Sequence, residues 1–282
     1  GGRMLQEITI AIVGPGVMGK TIATSLIQTG RILPGRIIMA GPNPERLKQL
    51  QAELGLRWSA SNAEAASAAD VVILAVKPQR LDQAARSLKG ALKPGTLVIS
   101  ILAGAPLAAL EQKLETRCLV RAMPNTPARI GMGITVWTKA ADVDEAQHEI
   151  AAQIMQTLGE EVFVADEAYL DMATALSGTG PAYVFLFMEA MIDAGVHMGF
   201  PRRIAEQLVV QTLRGSTEFY LQSRGHPAQL RDDVTSPGGT SAEALYYLEK
   251  AGFRTAISRA IWAAYQRGIE LGKGISKQGL EG

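Results

Sequence analysis

The sequence predicts an α/β fold, with a doubly wound and mostly parallel sheet over residues 4–165 and an all-helical domain over residues 166–282. Short β-type runs alternate with helical patterns up to about Asp166. Beyond it the β-branched runs stop and long helical patterns take over. A chain of 282 residues suits two domains, since one domain usually holds about 100 to 200.

Residues 8–13 read as the first strand, running straight into Gly14-Pro15-Gly16-Val17-Met18-Gly19. A helix over 21–28, ended by Gly30, precedes a second strand over 36–40. A helix around 45–54 leads to 71–76, a continuous apolar run of the kind buried on both faces. Residues 96–101, 118–122 and 134–138 repeat the strand pattern, and 162–164 give a last short one. In the helical half, 182–198 is apolar nearly all round; Glu189, Asp193 and His197 recur every four residues and share one narrow face. Such a helix has to be buried on most sides, more than so small a domain supplies, so packing against a second copy of the chain is expected. Helices over 202–222 and 253–271 follow, with Pro201 in the first turn of the former.

Composition excludes some classes of function. Hydrophobic residues at 47% and charged residues at 20% belong to a folded globular chain. A net charge of +1 gives no field that favours nucleic acid or an anionic membrane. No stretch is read as a membrane span and no signal peptide opens the chain. The single cysteine, Cys118, reads as a small buried hydrophobe on a strand, which suits a reducing compartment and a cytoplasmic protein. Gly1-Gly2-Arg3 ahead of Met4 reads as an added remnant outside the fold.

A G-x-G-x-x-G string is weak by itself, and its setting between a strand and a helix gives it meaning. Gly14 permits the tight turn, Gly16 lets the backbone approach a pyrophosphate, and Gly19 lets the helix close on the sheet. The N–H groups of Val17 and Met18, at the positive end of the helix, then face the phosphates. A purely structural turn is the alternative. An acid at the end of the second strand would take a ribose hydroxyl, and this sequence has none there. Met39-Ala40-Gly41-Pro42-Asn43-Pro44-Glu45-Arg46 instead offers Asn43 and Arg46 to a 2′-phosphate, with Glu45 assigned to the first turn of a helix. NADPH is the expected cofactor and NADH remains possible; Asn43 as a plain turn residue is the competing reading. Ala75-Val76-Lys77-Pro78 ends a buried strand at its carboxyl edge, a wall of the cofactor site, although Lys77 reads equally as a solvated strand-end lysine.

Met123-Pro124-Asn125-Thr126-Pro127, Ser177-Gly178-Thr179-Gly180-Pro181 and Ser236-Pro237-Gly238-Gly239-Thr240-Ser241 are too rich in Gly, Pro, Ser and Thr for ordinary connectors. The last runs into a helix, so its N–H groups and two hydroxyls converge on a carboxylate pocket or, more plainly, on a capped turn. With these strings on the page, the chain resembles the pyrroline-5-carboxylate reductase family from residue 8 to about 272. The most specific part is Arg231-Asp232-Asp233-Val234-Thr235-Ser236-Pro237-Gly238-Gly239-Thr240-Ser241. Ala175-Leu176-Ser177-Gly178-Thr179-Gly180-Pro181-Ala182-Tyr183, Leu74-Ala75-Val76-Lys77-Pro78 and Arg121-Ala122-Met123-Pro124-Asn125-Thr126-Pro127 support it.

The resemblance implies a Rossmann-like fold and reduction of 1-pyrroline-5-carboxylate to proline by NADPH or NADH. It also implies an interlocked helical dimer, often built into a ring of five dimers. Carried over by position, Gly238, Gly239, Thr240 and Ser241 hold the substrate carboxylate, Ser241 lies near the imine nitrogen as the catalytic hydroxyl, and Ser177 is a further substrate contact. Many members have threonine where Ser241 stands. Asn62 matches a family asparagine at the adenosine end, where residues alone suggest a helix cap; Ala103, Gly104 and Asn125 join the cofactor contacts.

The chemistry agrees with this. A cyclic imine is basic enough to be protonated near neutral pH, so positioning and electrostatics matter more than a strong general acid. No lysine lies between Lys139 and Lys250, and the only histidines are His148, His197 and His226. A hydroxyacid dehydrogenase, the nearest alternative enzyme, wants such a group against the nicotinamide. A non-catalytic NADPH sensor is the alternative of another class. His197 is expected to pair with Asp193, and His226 to be a solvated connector; no metal site is expected.

Overall fold

The computed structural model describes residues 4–278, so Gly1-Gly2-Arg3 lies outside the described residues. Its sheet is formed by β1 (Ile10–Val13), β2 (Ile37–Ala40), β3 (Arg57–Ser59), β4 (Val71–Leu74), β5 (Leu97–Ser100), β6 (Leu119–Met123), β7 (Gly133–Lys139) and β8 (Gly159–Phe163). The eight strands run in the order β3-β2-β1-β4-β5-β6-β7-β8. All neighbours are parallel except β6 and β7. Alternation along β1 shows why the sheet is covered on both faces: Ile10 and Ile12 enter one core cluster, Ala11 and Val13 the other. Apolar residues of α1 (Val17–Gln28), α2 (Pro44–Leu54) and α6 (Glu145–Gln156) complete the first cluster. Those of α3 (Asn62–Ser67), α4 (Leu81–Leu88) and α5 (Leu107–Leu114) complete the second. The doubly wound α/β plan is thus the observed one, with β3 the strand that sequence patterning misses.

The chain forms two compact units, one holding residues up to Thr179 and again from Ala264, the other Gly180–Ala263. A division at residue 166 differs from this, for two reasons. The helix α7 (Ala168–Ala173) packs on β6 and β7 and is tied there by Arg121, so it belongs with the sheet. The last helix, α12 (Phe253–Gln278), returns Ile275 to the second sheet cluster and sets Gly272 against Gly104.

In the second unit, α8 (Gly180–Met198) packs on α9 (Arg202–Ser223) around Ile192, Ala205 and Val209. A Cβ on Gly195 would stand 3.1 Å from that of Ala205, so glycine there sets how closely the helices approach. Pro201 is the N-cap of α9, one place before its first turn. Asp193 pairs with Arg202 at 3.4 Å rather than with His197. His226 is the N-cap of α10 (Pro227–Asp233), its Nδ1 accepting from Ala228 N–H at 3.0 Å, and so is no mere connector. The continuous helical stretch Ala168–Met198 is long and apolar enough to cross a membrane by length and composition alone, a test that a core helix also passes; Glu189 and Asp193 keep it from being an uninterrupted apolar run.

Candidate functional site

The Gly-rich turn sits where β1 ends between β2 and β4, and Gly14 N–H donates to Ala40 O at 3.0 Å. The chain leaves β1 for β2 and β3 on one side and crosses back from β3 to β4 on the other, so the strand order reverses here and this is the crevice where open sheets bind ligands. Gly14 has φ +115°, and a Cβ there would lie 2.6 Å from the carbonyl oxygen of Ala75. A Cβ on Gly19 would overlap the carbonyl oxygen of Gly14. On Gly16 a Cβ would meet nothing within 4 Å, so that face of the turn is open for a ligand to approach. Gly16 is the N-cap of α1 with no side-chain cap, which leaves the first-turn N–H groups of Val17 and Met18 without an internal partner. Turn, open face and uncapped helix end together fit a pyrophosphate.

Two cavities flank the turn. One of about 490 Å³ is lined by Gly41, Pro42, Asn62, Val76, Arg80 and Ser87 among others. Asn62 Nδ2 donates to Ser87 Oγ at 3.0 Å, while its buried Oδ1 has no partner. The cap of α3 is Ser61, whose Oγ accepts from Glu64 N–H at 3.1 Å, so Asn62 is not the cap. Its orphaned oxygen is what a site for a ligand donor looks like. Asn43 lies outside both linings; it caps α2, its Oδ1 accepting from Glu45 N–H at 3.1 Å. Glu45 occupies the first turn of α2 as expected. Arg46 does reach the turn, donating to Pro15 O at 3.4 Å, and with Lys20 and Arg129 lines a neighbouring cavity of about 320 Å³ that Val17 also borders. Lys20 is itself paired with Glu53 at 2.8 Å, which holds that carboxyl below its ordinary pKa.

The second flanking cavity, about 250 Å³, brings together Met18, Ala75, Val76, Pro78, Ala103 and Asn125 with Met123 and Gly178. Lys77 is exposed and lines neither cavity. Gly104 lies outside the linings too: with φ +75° it is the close-contact point for α12, where a Cβ on Gly272 would stand 2.6 Å from Gly104 O. Asn125 spends both ends of its amide inside the protein, donating to Ser177 O at 3.2 Å and accepting from Ile134 N–H at 2.9 Å. Ser177 lies in a π-helical turn, Thr174–Gly178, its hydroxyl donating to Ala173 O at 3.0 Å. Sequence reasoning singled out Asn125 and Ser177, gave Met123 no role beyond its place in the Met123 to Pro127 string, and missed Arg121 and Ser87 as site-shaping residues.

In the helical unit, Gly238 has φ +72° and Gly239 is the N-cap of α11 (Thr240–Lys250), with no side-chain cap. The first-turn N–H groups of Thr240 and Ser241 therefore point out of the helix end without an internal acceptor, beside the two hydroxyls. That is the donor set an anion requires. Cys118 is free and buried, placed just before β6; its Sγ donates to Gln147 Oε1 at 3.2 Å and burial pushes the thiol pKa up.

Comparison with known proteins joins these features. The family profile "pyrroline-5-carboxylate reductase dimerisation" matches residues 167–271, and "NADP oxidoreductase coenzyme F420-dependent" matches 9–104. The pyrroline-5-carboxylate reductase of Synechocystis sp. is 44% identical over 269 residues, 95% of this chain and 100% of its own. Solved structures of pyrroline-5-carboxylate reductase from Coxiella burnetii and of pyrroline carboxylate reductase from Plasmodium falciparum, the latter with NADP bound, superpose with TM-scores of 0.86 and 0.87. They are 36% and 33% identical, covering 94% and 95% of this chain and 98% and 99% of their own. The chain belongs to the pyrroline-5-carboxylate reductase family.

Proposed function

We propose that the protein reduces 1-pyrroline-5-carboxylate to L-proline, the last step of proline biosynthesis, with NADPH as the preferred cofactor and NADH as a weaker one. The single observation that carries this is the Gly14 to Gly19 cradle, closed by backbone at Gly14 and Gly19 and open at Gly16, in a chain of this family. When bound, the nicotinamide cofactor supplies the hydride. Gly14, Gly16 and Gly19 shape the cradle, and Val17 and Met18 hold the pyrophosphate through their N–H groups. Asn62 takes a donor of the adenosine end; Arg46 and Asn43 favour the 2′-phosphate, without a carboxylate at the end of β2 to repel it. Ala75, Val76, Pro78, Ala103 and Asn125 border the nicotinamide, with the Lys77 backbone and Gly104 fixing the loops that carry them.

The substrate carboxylate is held by Gly238, Gly239, Thr240 and Ser241, with Ser241 Oγ near the imine nitrogen and Ser177 a further contact. Because the imine carries its own proton near neutral pH, these groups orient and stabilise charge and need not donate strongly. Residues from 166 onward bind substrate and pair with a second copy, giving a homodimer and, by further assembly, a decamer. The setting proposed is cytoplasmic, where a single buried thiol such as Cys118 stays reduced. Steady-state kinetics with NADPH and NADH against 1-pyrroline-5-carboxylate and short keto acids test the reading; turnover of keto acids alone overturns it.

A further inference from the structure

Arg121 and Met123 lie two residues apart in β6, and Asn125, itself extended, follows two residues beyond the strand, a spacing that in extended chain sets residues on one face. All three act on the same helical segment. The Arg121 side chain is 3% exposed, and its guanidinium forks to Glu167 Oε2 at 3.0 Å and Asp171 Oδ1 at 2.8 Å. Glu167 is the N-cap of α7 and Asp171 lies one turn further on, so the fork spans the helix's first turn. Glu167 Oε2 also accepts the N–H of Leu107, the first residue of α5, at 2.8 Å. At the far end of the segment, Asn125 Nδ2 holds Ser177 O. One residue on, Met123 Cε lies 2.5 Å from where a Cβ of Gly178 would stand, so the end of the segment rests on that methionine.

What these contacts secure is the position of the turn more than stability. A buried ion pair loses in desolvation much of what it gains in attraction, whereas a fork of directed bonds fixes geometry. Helix α7 continues without interruption into the π-helical turn, and Thr179 N–H bonds Thr174 O at 2.8 Å across it. Such turns recur at functional sites. Its last residue, Gly178, is part of the wall of the 250 Å³ cavity. A shift of α7 along its axis therefore moves that wall.

We propose that Arg121 is a positioning residue for the reduction, setting through Glu167 and Asp171 the π-helical turn that forms one wall of the nicotinamide cavity. The inference rests on the proposed function, which places the nicotinamide there. Strand β6 itself is held independently, by ladder pairing of Arg121 with Ser100 and Thr138, so Arg121→Met should keep the sheet. Hydrogen exchange of the intact protein is compared between residues 168–179 and 37–67 in wild type, Arg121→Met and Arg121→Lys. In parallel, kcat with 1-pyrroline-5-carboxylate and Kd for 2′,5′-ADP, a probe of the adenosine end, are measured. For Arg121→Met the expected results are exchange over 174–179 at least about ten-fold faster, with 37–67 unchanged, and kcat lower by roughly 10- to 100-fold. The Kd for 2′,5′-ADP stays within about two-fold, and lysine, which serves one carboxylate at a time, restores part of both losses. Unchanged exchange over 174–179, unchanged kcat, or equal loss of 2′,5′-ADP binding overturns the proposal. Wild type that fails to turn over the imine defeats the proposed function instead, while the exchange comparison still judges Arg121.

Discussion

In the sheet unit, every residue of β1, β2, β4 and β5 is buried, while in the helical unit α8, the most apolar helix, buries only Ile192 and Gly195 along 19 residues. The two regions have comparable appetite for apolar contact and satisfy it differently. A parallel sheet with helices on both faces closes its core within one chain. A few helices cannot, because small units leave too much surface for their volume. Val184, Phe185 and Leu186 are 52%, 59% and 67% exposed, and exposed apolar residues at that density mark an interface. The dimerisation profile falls on this same stretch.

The largest expected effect breaks the helical side of the comparison. Leu186→Asp places a charge on the exposed α8 face, and if a second copy covers that face the charge is buried without a partner. Loss of assembly by sedimentation is expected, the dimer weakened by about 30-fold or more, with turnover abolished. A dimer of unchanged affinity would mean that α8 is covered by something else.

A pair of glycines probes the sheet unit. Gly19→Ala must displace the Gly14 carbonyl, so a stability loss of about 1 to 3 kcal/mol in thermal melts and loss of NADPH binding are expected together. Gly16→Ala meets open space, so the melt should stay while NADPH Kd rises by about ten-fold or more. Equal melts and equal binding in the two variants would dissolve the distinction between a packing glycine and a ligand-facing one.

How far these roles were legible in the sequence depends on the distance over which they act. The Gly14 to Gly19 string is local, and its three roles follow from spacing alone. Strand β3 has no β-branched residue in Arg57-Trp58-Ser59 and pairs only at the sheet edge, so pattern gives little sign of it. Asn43 and Asn62 are alike in sequence, each near a helix start. Only the fold shows that one caps its helix and the other, beside the capping Ser61, lines a cavity with its buried oxygen unpaired. For Gly104 the sequence offers only a cofactor contact carried over by resemblance; its close packing on Gly272 has no local sign because that helix lies far along the chain. Arg121 was hidden for a similar reason: a charge inside a strand reads as a solvent-facing position until its carboxylates, from α7 and its cap, are placed beside it.

A smaller effect is expected at the helical unit's anion loop. Ser241→Ala leaves the Gly238 and Gly239 backbone and the helix end intact, so a carboxylate held there, as proposed, keeps its main donors. Turnover should fall by about ten-fold with NADPH affinity nearly unchanged. An unaltered rate removes Ser241 from the mechanism.

The smallest effect is the most discriminating for the sheet unit, since it asks whether a site closed within one chain still carries an unfilled contact. Asn62 Oδ1 is buried and unpaired, which costs about 1 to 3 kcal/mol until a donor arrives. Leucine matches asparagine in size and removes the orphan. Ser87 loses one donor but still bonds Ala84 O at 2.6 Å, so nothing new is left unpaired there. Asn62→Leu should therefore melt no lower than wild type, and by up to about 1 kcal/mol higher in stability, while NADPH Kd rises by about ten-fold. The opposite outcome, a lower melt with affinity kept, would make Asn62 a packing residue and leave the adenosine end without its polar anchor.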